Sequence, residues 1–181
     1  MYPGVKVAPV AYAPAAHRIA AVGGALVVIV DVPFNLAVFD IDAPDRVIAR
    51  EPSITTWVVG GHSLGGAMAA QYAGSHPGAV DGLVLWGSYP AADLADADIA
   101  VLSIYGSLDA GLPTIRNDAN LAKLPATARY VEISGGNHEQ MGSYTGQPND
   151  PPATISRIEQ QAQLTTATAS FLGALGVATG S

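Results

Sequence analysis

With 181 residues, 49% of them hydrophobic and 13% charged, the chain is long enough to bury a sizeable core and too apolar to remain disordered. Fifteen acidic against eight basic residues give a net charge of −7 with no Lys/Arg cluster, which argues against nucleic acid and anionic membrane surfaces as partners. Cysteine is absent, which excludes disulfides, thiolate metal sites and a thiol nucleophile, and four scattered histidines argue against a metal cluster.

The first residues show no basic stretch followed by an apolar one, so no export signal is visible. The longest apolar run, "ALVVIV" at 25–30, is far too short to span a bilayer. The chain is expected to be soluble, in a compartment the sequence does not fix. An amphipathic segment carrying His17 comes first. Five short segments rich in Val and Ile then end in turn residues: 25–33, 55–61, 80–90, 99–109 and 128–136. Apolar runs of this length predict strands covered on both faces, as in a parallel sheet. Helical spacing lies between them, in 36–50, in "LGGAMAAQYAGSH" and in 112–124, and again near the end in 155–175. Alternating strands and helices predict one α/β domain over 1–181, a mostly parallel sheet with helices on both faces. The connection "AADLADADIA" is too short for a cap subdomain, so a site at the strand ends is expected to be open. The small, polar "GVATGS" at the end is expected to fray.

The chemistry centres on "GGHSLGG" at 60–66. A G-x-S-x-G between a strand and a helix holds its serine in strained backbone, and Gly61 and Gly65 remove the Cβ clashes such a turn creates. The turn aims the first amides of the following helix, beginning with Leu64 N–H, at an oxyanion formed beside Ser63. Against this stands a simpler reading, a packing turn in which Ser63 is an ordinary helix N-cap. A serine nucleophile needs a base, and the base needs a carboxylate to orient it. Asp109 ends one strand-like segment and His138 follows another, in the order serine, acid, histidine. In a parallel sheet all three fall at the carboxyl edge. Asp93, Asp96 and Asp98 are rival acids but lie within a connection. His62 is expected to pack below the elbow, and His76, before Pro77, reads as a helix terminator.

With these motifs in place, the sequence resembles the α/β-hydrolase superfamily, and within it the small, cap-poor esterases and dienelactone-hydrolase-like members. The resemblance covers nearly the whole chain: "WVVGGHSLGGAMAAQYA", "GLVLWGSYP", "VLSIYGSLD" and "GGNHEQMGSY" fall where that family has its elbow, next strand, acid loop and histidine loop. It implies a triad of Ser63, Asp109 and His138. It also implies that "YPGVKVAPVAYAP" is the loop supplying the second oxyanion amide, from Val5 or else Gly4. The family commonly has a second glycine where this chain has Val5. It usually has two further strands, and most of a third, before this loop. The sheet is therefore expected to have roughly five strands, with 25–30 and 55–59 either pairing directly or leaving free edges that recruit a second copy. A fragment of a longer protein is the alternative. The implied activity is hydrolysis of small carboxylic esters through an acyl-enzyme on Ser63, with no metal or organic cofactor. Thioesters, lactones and amides share that machinery, and Trp86, Tyr89 and Met141 suggest short acyl chains. The competing reading is a non-catalytic binding or assembly protein on the same fold.

Overall fold

Val- and Leu-rich segments become strands where both of their faces can be covered; the segment 128–136, expected to be covered likewise, instead gives an edge strand exposed at Arg129, Tyr130 and Glu132. A computed structural model describes residues 1–176, so all of the tail expected to fray except Gly176 lies outside the described residues. A 3-10 turn at Pro9–Tyr12 runs into α1 (Ala13–Gly23), followed by α2 (Ala43–Ile48), β1 (Val58–His62), α3 (Leu64–Ser75), β2 (Gly82–Trp86) and β3 (Ala100–Gly106). Then come two single turns, α4 (Leu112–Ile115) and α5 (Asp118–Leu121), β4 (Arg129–Ile133) and α6 (Arg157–Ala174). The strands pair in the order β1-β2-β3-β4, every pair parallel.

Successive side chains of a strand point to opposite faces, and here the two faces build two cores. Leu83 and Leu85 of β2 pack with Ala69, Ala70 and Tyr72 of α3. Val84 and Trp86 pack on the other side with Ala15 and Ile19 of α1 and Leu164, Phe171 and Leu172 of α6. The result is the expected helix, sheet, helix layering. Small residues let α3 lie close against the sheet: a Cβ on Gly66 would stand 2.6 Å from the Ser88 side chain. Among the described residues, no helix is long and apolar enough to cross a membrane.

The segment 25–33 departs from expectation. It is extended but is not a strand of the sheet, which among the described residues has four strands rather than five. Nor does it pair directly with β1, because Met1 and Tyr2 lie between them. The Met1 amine donates to Val28 C=O at 2.7 Å and Val30 N–H to Met1 C=O at 3.0 Å. On the other side Tyr2 N–H donates to Gly60 C=O at 2.8 Å and His62 N–H to Tyr2 C=O at 3.2 Å, a parallel bridge to Gly61. Next to Met1, Leu26, Val28, Trp57, Val58 and Val84 line an apolar groove of about 1060 Å³, open solvent at its mouth included.

Candidate active site

The elbow is built by close backbone approach. Ser63 has φ 54° and ψ −126°, a conformation that costs a non-glycine residue about 1–3 kcal/mol. Its neighbours hold it there. Ser63 N–H donates to Trp86 C=O at 2.9 Å, while Ser63 C=O accepts from Gly66 N–H at 3.0 Å and from Ser88 Oγ at 2.6 Å. A Cβ on Gly61 would stand 2.4 Å from the Gly65 carbonyl carbon, and one on Gly65 would stand 2.3 Å from Pro3 O. Ser63 occupies the N-cap position of α3, yet its hydroxyl makes no capping hydrogen bond. The simpler reading of Ser63 as a capping residue is therefore not what the structure adopts.

Asp109 and His138 meet at the same edge of the sheet. His138 Nδ1 lies 3.0 Å from both Oδ1 and Oδ2 of Asp109, and both residues are buried. Since a carboxylate only accepts, the proton of a neutral His138 sits on Nδ1 and its Nε2 is left as an acceptor. Gln160, fully buried on α6, fixes the base of the loop. It accepts from Asn137 N–H at 3.0 Å and donates to Asn137 C=O at 2.7 Å. Asp150 ties the two loops together, accepting from Ala110 N–H at 3.2 Å and Glu139 N–H at 2.8 Å. Gly87 leaves room for the pair: a Cβ there would stand 2.8 Å from Asp109 Oδ2 and 3.0 Å from His138 Nδ1. The rival acids Asp93, Asp96 and Asp98 are all exposed.

On the opposite side, Gly4 N–H is donated to Tyr12 Oη at 2.9 Å, so this amide is already engaged. Among the described residues no hydrogen bond engages the amides of Val5 or Leu64, and Val5 is exposed. Of the two residues considered for the second oxyanion amide, only Val5 has its N–H free. His62 is buried beneath the elbow, with Nδ1 2.8 Å from Tyr12 Oη and its ring centroid 4.4 Å from that of His138. Burial, and then the charge His138 can carry, hold its pKa well below the usual histidine range, the His138 backbone opposing this only in part. Trp86 and Met141 do not line an open site, since both are buried in the core on the α6 side; Tyr89 is exposed. His76 caps the far end of α3, stacked on Tyr72. There its ring lies beside Asp42 and Asp45, with ligand atoms within 4.8 Å of one another, about a helix length from Ser63.

The model of the alpha/beta hydrolase family matches residues 1–162. The chain belongs to the alpha/beta hydrolase family. No curated protein matches its sequence. Solved structures resemble it in fold. A predicted CIB-like hydrolase from Thermoplasma acidophilum superposes with a TM-score of 0.64 at 16% identity, over 96% of this chain and 84% of that one. A dienelactone hydrolase from Anabaena variabilis gives 0.63 at 18%, over 96% and 84%. A monoacylglycerol lipase from Paleococcus ferrophilus gives 0.61 at 13%, over 94% and 93%. Family membership supports a hydrolase, and these neighbours share its fold. Sequence reasoning missed Tyr12, Gly87, Asp150 and Gln160, whose partners lie far away in the chain and leave no local pattern.

Proposed function

We propose that this alpha/beta hydrolase cleaves small carboxylic esters through an acyl-enzyme on Ser63. The reading rests above all on one juxtaposition: a serine in strained elbow backbone with an uncommitted hydroxyl, at the sheet edge that also holds a buried Asp109–His138 pair. In this reading His138 Nε2 takes the proton as Ser63 Oγ bonds to the ester carbonyl carbon. Leu64 N–H and Val5 N–H receive the oxyanion. The C–O bond to the alcohol then breaks, and the alcohol leaves with the proton from His138. Water, deprotonated by the same nitrogen, releases the acid and restores Ser63. Asp109 orients the ring and stabilises its charged form. The sequence of steps needs neither metal nor organic cofactor, and the same machinery suits thioesters and lactones.

A fluorophosphonate probe together with a short activated ester tests this. Wild type is expected to label stoichiometrically and Ser63→Ala not at all. Ser63→Ala and His138→Ala are expected to lose on the order of 10⁶ in kcat, and Asp109→Ala about 10⁴. A folded wild-type protein that neither labels nor turns over the ester would sink the proposal in favour of a binding protein. A larger loss in Asp93→Ala than in Asp109→Ala would reassign the acid.

A further inference from the structure

The proposed mechanism makes no use of two fully enclosed side chains, Tyr12 and His62, that lie between its two halves. Tyr12 Oη accepts from Gly4 N–H at 2.9 Å and lies 2.8 Å from His62 Nδ1. An oxygen already accepting from an amide has its own proton to give, and Nδ1 is the acceptor within reach. That fixes His62 as the Nε2–H tautomer. Burial favours the neutral form of both groups, raising the Tyr12 phenol and lowering the His62 imidazole. The Nε2–H of that tautomer faces the His138 backbone, which acts on the imidazole as an acceptor although the contact falls short of full hydrogen-bond geometry. Its ring packs at 4.4 Å against that of His138. Gly4 is shaped to the pair, because a Cβ there would stand 2.9 Å from His62 Nδ1 and 3.0 Å from Tyr12 Oη. Val5 follows Gly4, so the Gly4 peptide that Tyr12 grips orients the next amide.

We propose that Tyr12 and His62 are positioning residues that couple the oxyanion loop to the catalytic histidine. Tyr12 locks Gly4 so that Val5 N–H faces Ser63, and His62 locks Tyr12 while setting the plane of the His138 ring. The inference rests on the serine-hydrolase reading for its catalytic consequence but not for the coupling itself. Neither residue touches substrate.

Three variants separate the parts. Tyr12→Phe removes the hydroxyl. His62→Phe keeps a ring against His138 but removes the acceptor. His62→Asn keeps an acceptor near the place of Nδ1 but removes the ring. In ¹⁵N-labelled protein, amide exchange at Gly4 is expected to speed up about 10-fold or more in Tyr12→Phe and in His62→Phe, and to be largely rescued in His62→Asn. The His138 imidazole resonances are expected to shift most in His62→Asn. In ester hydrolysis, Tyr12→Phe and His62→Phe are each expected to lower kcat about 10- to 100-fold with KM nearly unchanged. The double variant is expected to be no worse than either single, since both break one chain of contacts. Unchanged Gly4 exchange and His138 resonances in folded Tyr12→Phe and His62→Phe would overturn the proposal, as would losses in kcat that multiply in the double variant. If wild type fails to label at Ser63, the hydrolase reading falls, whereas the exchange and resonance measurements still decide the coupling.

Discussion

Gly87 governs the candidate site by having no side chain. It follows β2 with φ 51°, and its N–H donates to Ile104 C=O at 2.8 Å, so its place is fixed between the elbow strand and the acid strand. Gly87→Ala adds a methyl group 2.8 Å from Asp109 Oδ2 and 3.0 Å from His138 Nδ1, and it also forces a β-carbon into left-handed backbone. The backbone strain costs about 1–2 kcal/mol. Displacing the pair is expected to lower kcat by about 10²-fold, well beyond what that stability loss explains in a protein that stays folded. Urea unfolding beside kcat for Gly87→Ala checks both parts; a destabilised variant with full activity would show that the pair is not the base. Ser63, Asp109 and His138 were legible because each sits in a turn after a strand, a local signal. Gly87 was not, because the need for glycine there comes from Asp109 and His138, which reach it only in the folded chain. Tyr12 was hidden for the same reason, its partner His62 lying 50 residues away.

The junction of β1, α3 and the first residues of the chain is where elements decide the geometry. Strands β1, β2 and β3 were readable as apolar runs because they are covered on both faces, whereas β4, at the sheet edge, is exposed at Arg129, Tyr130 and Glu132 and was readable only from its place between turn residues. The segment 25–33 has the same composition, but what it pairs with is set by Met1 and Tyr2, and an apolar run says nothing of its neighbours. Residues 36–50 hold a 3-10 turn at Ala37–Phe39 before α2, close behind another at Pro33–Asn35 with Phe34 and Asn35 in left-handed backbone, and Pro44 enters only at the first turn of α2. Helical spacing there gave neither a continuous helix nor the buried set, since Val38 and Phe39 are exposed and within the span only Ala37 and Ala43 are fully buried. At the junction itself α3 touches the Tyr2–Pro3 backbone through Gly65. Gly65→Ala puts a methyl group 2.3 Å from Pro3 O and 2.7 Å from Tyr2 O, atoms of backbone that cannot swing aside. The variant is expected to push the first residues off β1, lowering stability by about 1–3 kcal/mol, as overpacking typically does. Activity is expected to fall further, because Val5 moves with them; loss of one oxyanion donor typically costs about 2.7–4 kcal/mol of transition-state stabilisation. Chemical unfolding and kcat/KM measured together separate the two losses, and equal changes in both would remove Val5 from the mechanism.

Across the whole molecule, the fold encloses a base beneath the elbow, and this gives stability a direction with pH. His62 lies well below its ordinary 6.5, through burial first and the neighbouring His138 second. The folded value is below the unfolded one, so between the two values the unfolded chain binds the proton and the native chain does not. This contribution to stability is therefore fully present above about pH 6.5 and is lost as pH falls below it. Urea unfolding at about pH 7.5 and at about pH 5 is expected to show that loss, and His62→Phe, which has no proton to bind there, is expected to flatten it. A wild-type stability that stays level or rises on acidification would mean that His62 is not enclosed, and with it that Tyr12 and the Gly4 loop do not close over the elbow.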